Sequence, residues 1–122
     1  MPSARGALGR IGEERAAAHL ARSGYSLIAR NWRCPIGEID LVARQGDQLV
    51  FVEVKTRRGE AWPPEEGVGA AKARRLIALA YAYLEATGAG PATPWRIDVI
   101  AIELDAAGRL ARLEQIEHAV EE

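Results

Sequence analysis

Asp40, Glu53 and Lys55 are the residues of this chain best suited to chemistry. Asp40 lies in Gly37-Glu38-Ile39-Asp40-Leu41-Val42-Ala43, and Glu53 and Lys55 lie in Leu49-Val50-Phe51-Val52-Glu53-Val54-Lys55. Both runs read as β-strands, and Glu53 and Lys55 share an alternating face with Leu49 and Phe51. Charge on so apolar a face is costly unless it is paired or holds a metal. Gly46-Asp47 fits a two-residue hairpin loop, with Gly at the first central position as a type II′ turn requires. With Gln45 and Gln48 closing that turn, Val42 faces Phe51, Asp40 faces Glu53 and Glu38 faces Lys55. Residues opposed on one face hold their Cβ atoms roughly 4.5–5.5 Å apart, where two carboxylates repel. A divalent cation between them turns repulsion into attraction, and hard oxygen ligands suit Mg²⁺ or Mn²⁺. A plainer arrangement fits the same spacing: a Glu38–Lys55 cross-strand ion pair, with Asp40 and Glu53 at a solvated strand end. A slip of one residue would also carry Asp40 to the other face.

Those strands need a scaffold. Residues 1–8 read as a loose terminus. Residues 10–23 read as an amphipathic helix with Ile11, Ala17, Ala18 and Leu20 available for packing, ended by Gly24. A first strand at residues 25–29 and a connection at 31–37 lead into the hairpin. Residues 57–66 form a loop containing Gly59, Pro63 and Pro64. A second helix is expected over 69–86, with Ile77, Ala80, Tyr81 and Leu84 on one face, before Gly88, Gly90, Pro91 and Pro94 break it. Residues 95–103 are apolar on both faces and predict a central strand. A turn at 105–108 and a last strand at 110–116 follow. The order αβββαββ allows helices on both faces of one mixed sheet, an α/β sandwich, with a parallel crossover through the second helix.

Composition narrows the classes. At 122 residues the chain fits one compact domain, and 48 % apolar with 27 % charged residues is an ordinary globular balance. No apolar run is long enough to span a membrane and no signal-peptide pattern is present, so a cytoplasmic protein is expected. One cysteine, Cys34, excludes an internal disulfide, and with only His19 and His118 beside it a structural zinc site is not expected. Cys34 reads as structural. A net charge of −1 argues against strong nonspecific nucleic-acid binding. The charge is uneven: residues 1–75 hold 13 Lys and Arg against 9 Asp and Glu, and residues 76–122 hold 3 against 8. The basic part contains the charged hairpin, which suggests a face that meets phosphates; ordinary solvated surface is the alternative.

The ordered motifs Gly12-Glu13-Glu14, Gly24-Tyr25, Asn31-Trp32-Arg33, Gly37-Glu38-Ile39-Asp40-Leu41-Val42, Val50-Phe51-Val52-Glu53-Val54-Lys55-Thr56-Arg57 and Arg96-Ile97-Asp98-Val99 resemble the YraN family of bacterial proteins. The resemblance runs from Leu8 to Val120. That family is similar to the archaeal Holliday-junction resolvases and to the PD-(D/E)XK nucleases. The resemblance implies a restriction-endonuclease-like three-layer sandwich, with a mixed five-stranded sheet flanked by helices. It also implies Mg²⁺- or Mn²⁺-dependent hydrolysis of phosphodiester bonds in branched or structured DNA. Residue by residue, it makes Asp40 the acidic residue of the second core strand, Glu53 and Lys55 the acid-X-Lys of the third, and Glu13 the first-helix glutamate. Asp40, Glu53 and Glu13 are then the metal ligands, and Lys55 orients water or stabilises developing charge. Ile39 departs from the family pattern by standing where the superfamily motif has proline, and Glu14 adjoins Glu13, leaving open which of the two faces the site.

Arg57, Arg58, Lys72, Arg74 and Arg75 are candidates for phosphate contact, which positions a duplex without reading bases. Trp32 and Trp62 are candidates for stacking on unpaired bases, with packing as the alternative. Asp98, inside an apolar strand, is expected to cap or pair internally. A two-fold homodimer follows from the resolvase likeness, with residues 57–67 and the last strand as candidate interfaces. The alternatives to a nuclease are a non-catalytic nucleic-acid-binding module and a protein-interaction module on the same fold.

Overall fold

A computed structural model describes residues 4–59 and 69–121. Helix α1 runs over Ala4–Arg22. It takes in residues 4–8 of the stretch expected to be loose, because Leu8 packs onto the core and a run of Ala, Arg and Leu favours helix. It ends in a Schellman motif. Gly24 adopts φ +88, Tyr25 N–H donates to the Leu20 carbonyl at 3.0 Å, and Gly24 N–H donates to Ala21 at 3.2 Å. Strands β1 (Ser26–Cys34), β2 (Gly37–Gln45) and β3 (Gln48–Arg58) follow, so the expected connection at 31–37 is mostly strand. Helix α2 spans Ala70–Ala86, and β4 (Trp95–Leu104) and β5 (Leu110–Val120) complete the chain. No helix among the described residues is long and apolar enough to cross a membrane.

The sheet has the order β1-β2-β3-β4-β5. Only β3 and β4 pair in parallel, and α2 is the crossover between them. Neighbouring pairs on both sides are antiparallel. This is the mixed five-stranded sheet of a restriction-endonuclease-like sandwich, with one helix on each face. On one face Ala16, Ala17 and Leu20 of α1 pack on Leu41, Val50, Val52, Ile100 and Ile102. On the other, Leu76, Leu79, Ala80 and Tyr83 of α2 pack on Ile39, Val42, Phe51 and Ile97. Each fully buried leucine in these layers contributes roughly 1.5–3 kcal/mol. The helix faces are rotated from the expected ones, since Ile11 is 42 % and Tyr81 48 % exposed. Both helices are alanine-rich, so several stripes could serve as the apolar face, and sheet packing selects among them.

The hairpin closes as its sequence requires. Gln45 pairs with Gln48 and Val42 with Phe51. Gly46 has φ +60 while Asp47 keeps negative φ, the pattern of a type II′ turn. A buried cation secures that register. Arg96 holds Asp98 through two bonds of 2.9 and 3.1 Å, and its Nη1 donates to Gln45 Oε1 at 3.1 Å and Gln48 Oε1 at 2.7 Å. Its Nη2 also donates to the Tyr25 hydroxyl at 2.8 Å. Asp98, wholly buried, is further satisfied by Gln115 and by the His118 N–H. One arginine therefore ties the end of α1, the hairpin turn and β4 together, and Asp98 has the internal role expected of it.

Candidate functional site

The site forms where the hairpin opens. The β2–β3 ladder runs from the turn to Leu41–Val52 and stops there. Ile39 and Val42 both pack on the α2 side, whereas Leu41 and Ala43 pack on the α1 side. Strict alternation would place Ile39 with Leu41, so β2 breaks its pleat beside Asp40. Asn31 of β1 stands at the same level in left-handed conformation, φ 50, which Asn tolerates better than most residues. Freed from the ladder, the Asp40 carboxylate accepts the Val54 N–H at 2.8 Å and lies beside Glu53. The β3–β4 ladder, by contrast, is unbroken from Leu49 to Arg58, so Glu53 and half-buried Lys55 project to one side.

Electrostatics mark the pair as strained. Glu53 is only 9 % exposed and is set among Ile39, Phe51, Leu76 and Ile97. Burial, first, and the Glu53 charge, second, push the Asp40 carboxyl up to about 8; Glu13 adds to the push and the Val54 N–H opposes it. Glu53 also pairs with Lys72 of α2. Two neighbouring acids, one of them buried, thus stand beside a single lysine, an arrangement that a divalent cation would relieve.

Glu13 and Glu14 separate. Glu14 turns to Arg30 at 2.6 Å, while Glu13 accepts from Asn31 Nδ2 at 3.0 Å and acts on Asp40. The same Asn31 amide donates to Glu38 at 2.7 Å, and Glu38 also meets Arg33 at 3.6 Å. Asn31 therefore fixes two carboxylates at the rim, a role the sequence reading missed. The only signal was an Asn interrupting a strand. Gly12 sets the approach of α1: a Cβ there would overlap the Thr56 side chain, so only glycine lets the helix lie this close to β3 and bring Glu13 to the site. Beside Glu13 runs a groove of about 530 Å³ lined in part by Arg10, Ile11, Arg15 and Arg30.

Several expected phosphate contacts have structural engagements. The Arg58 guanidinium donates twice to the Ala106 carbonyl, at 2.7 and 3.3 Å, and clamps the β4–β5 turn. Lys72 is on Glu53, Arg57 is half-buried, and Arg74 and Arg75 are exposed on α2. Trp32 is packed edge-on against Tyr83 with ring centroids 5.2 Å apart, the packing alternative of the two uses weighed for it: the ring lies against the α2-side core. Half-buried Cys34 packs against the same layer, as a structural cysteine does. Trp62 and the loop at 60–67 lie outside the described residues.

Among the described residues no three His, Cys, Asp or Glu side chains come together as a metal cage. Glu13, expected as a third ligand, is engaged by Asn31 instead of joining such a group, which leaves Asp40 and Glu53 as the candidate donors. That fits Mg²⁺ or Mn²⁺, which commonly take one or two protein carboxylates and complete their shells with water and substrate phosphate.

A protein of Chloroflexus aurantiacus designated UPF0102 protein is 52 % identical over 120 residues, covering 98 % of this chain and 95 % of the relative. One from Roseiflexus castenholzii is 50 % identical over 123 residues, covering 100 % and 99 %. One from Streptomyces griseus is 52 % identical over 101 residues, covering 82 % and 85 %. Residues 12–102, from the helix glycine to β4, match the model described as Uncharacterised protein family UPF0102, and the chain belongs to that family.

Proposed function

We propose that this protein is a Mg²⁺- or Mn²⁺-dependent endonuclease that hydrolyses phosphodiester bonds in branched or structured DNA. The observation that carries the reading is the Asp40–Glu53 pair: the Asp40 carboxylate sits on the Val54 N–H next to a buried Glu53 that is itself paired with Lys72. The sandwich fold and the likeness to PD-(D/E)XK nucleases and archaeal junction resolvases support it. Asp40 and Glu53 hold the metal ion, which when bound supplies Lewis acidity and makes water more acidic. Lys55, on the face of Glu53, steadies the charge that builds on the phosphate. Glu13, held by Asn31 at the rim, adds negative field there and would favour a bound divalent cation without ligating it directly. Arg75 and the arginines of the groove beside Glu13 contact the strand on either side. Resolution of a junction needs paired cuts, so the active form is a two-fold dimer. The protein acts in the cytoplasm, where a single thiol stays reduced.

The test is a cleavage panel of junctions, flaps, nicked duplex and single strands in Mg²⁺ and in Mn²⁺, run beside Glu53→Gln. Wild type is expected to cut a branched substrate, and the variant to bind it without cutting. Equal cleavage by both refutes the assignment of Glu53. Salt-sensitive binding with no turnover selects the non-catalytic binding module instead.

A further inference from the structure

We propose that Lys72 is the resident counter-ion of the carboxylate pair: its ammonium holds Glu53 while no divalent cation is bound, and turns to a phosphate of the substrate strand when one arrives. This rests on the metal-site reading above.

Lys72 is misplaced by the rules of its own helix. It stands in the first turn of α2, where the positive end of the helix dipole disfavours a cation. That turn has no acidic residue and Gly69 provides no side-chain cap, so among the described residues the turn itself does not offset the charge. Glu53 supplies the reason. Its side chain is 10 % exposed and lies against Asp40, and Lys72 Nζ meets its Oε2. A carboxylate this buried needs a counter-charge.

The pairing is built to be reversible. The Lys72 side chain is 55 % exposed, so its flexible stem can swing into water without repacking the core. A divalent ion on the same carboxylate competes with the ammonium for its oxygens and repels it at short range. Released, Lys72 lies three residues before Arg75 on the same helix face, at the edge of the site where a strand must pass. The one lysine thus shields the empty pair and then helps to seat the substrate. Its second position depends on the first being vacated.

Mn²⁺ titration followed by electron paramagnetic resonance, without nucleic acid, tests the first step with wild type, Lys72→Met and Lys72→Arg. Lys72→Met is expected to bind Mn²⁺ about tenfold more tightly and to melt at lower temperature in EDTA, whereas Lys72→Arg stays at or below wild-type affinity. A lysine that merely supported the fold would not tighten metal binding when removed. Unchanged or weaker Mn²⁺ binding by a folded Lys72→Met overturns the counter-ion role and leaves the metal site standing. No Mn²⁺ binding by any of the three overturns the metal site and this role with it. The second step is read from the salt dependence of branched-DNA binding. The slope of wild type should exceed that of Lys72→Met by about one in Ca²⁺ and match it in EDTA. Equal differences in both conditions overturn the release.

Discussion

Replacing Asp40 by Asn should stabilise the protein, and the gain should depend on pH. The wild-type carboxyl accepts the Val54 N–H, while burial and the Glu53 charge push it up to about 8. Asn keeps that contact, because its oxygen still accepts from Val54, and its amide offers Glu53 a donor in place of a like charge. It does so without a charge to bury. The Asp40 pKa is raised from 3.8 unfolded to about 8 folded, so the folded state binds the extra proton across that window. The wild-type stability linked to this group is full below about pH 4, falls as pH rises toward 8, and levels off above. A tenfold difference in proton affinity between the folded and unfolded chain corresponds to about 1.4 kcal/mol, giving an upper bound of about 4 kcal/mol at pH 7. Solvent at the partly exposed carboxyl and local relaxation reduce this to roughly 2 kcal/mol. In a domain of this size that is roughly 5–10 °C in Tm. Thermal melts of both proteins from pH 4 to 9 in EDTA measure it. The curves should meet near pH 4 and separate steadily to pH 8, with Asp40→Asn higher. A variant that melts lower at pH 8, or an offset that does not change with pH, refutes the claim that burial and the Glu53 charge hold the Asp40 carboxyl up.

Gly12→Ala should cost roughly 1–3 kcal/mol by pressing α1 off Thr56, measured as a lower urea midpoint at unchanged slope; adding Thr56→Ala should recover part of the loss. Asn31→Ala loses both carboxylate contacts and must hold φ 50 with a less suitable residue, so it should cost about 1–2 kcal/mol, whereas Asn31→Gly should recover the backbone share alone. Arg96→Met leaves Asp98 buried without its cation and should cost about 3–5 kcal/mol, with early exchange of hairpin amides near Gln45 and Gln48 as the signature that register is lost.

The site's frame was legible because turn chemistry and alternation are local. Gly46 allowed one turn type, and that turn set the pairing from Gln45–Gln48 to Leu41–Val52; the expected opposition of Asp40 to Glu53 and of Glu38 to Lys55 lies beyond the point where the ladder stops, and Glu38 turns instead to Asn31 and Arg33. The element order followed from the same punctuation. What was hidden depends on contacts across the sheet. The broken pleat at Ile39 and Asp40 answers a conformation of Asn31 on the neighbouring strand. Lys72 looked like surface charge because its partner lies 19 positions earlier in sequence, on β3. Trp32 looked available until Tyr83 of α2 covered its edge. The choice between Glu13 and Glu14 needed the position of α1, which Gly12 and Thr56 determine.

The central claim is that a divalent cation belongs between Asp40 and Glu53. Crystals soaked in Mn²⁺, with anomalous diffraction collected at the manganese edge, test it most directly. The expected result is one peak within coordinating reach of both carboxylates, with Asp40 deprotonated and Lys72 turned away, and no such peak in Glu53→Gln. Manganese bound elsewhere, or a Lys72–Glu53 pair undisturbed at saturating Mn²⁺, would contradict the account.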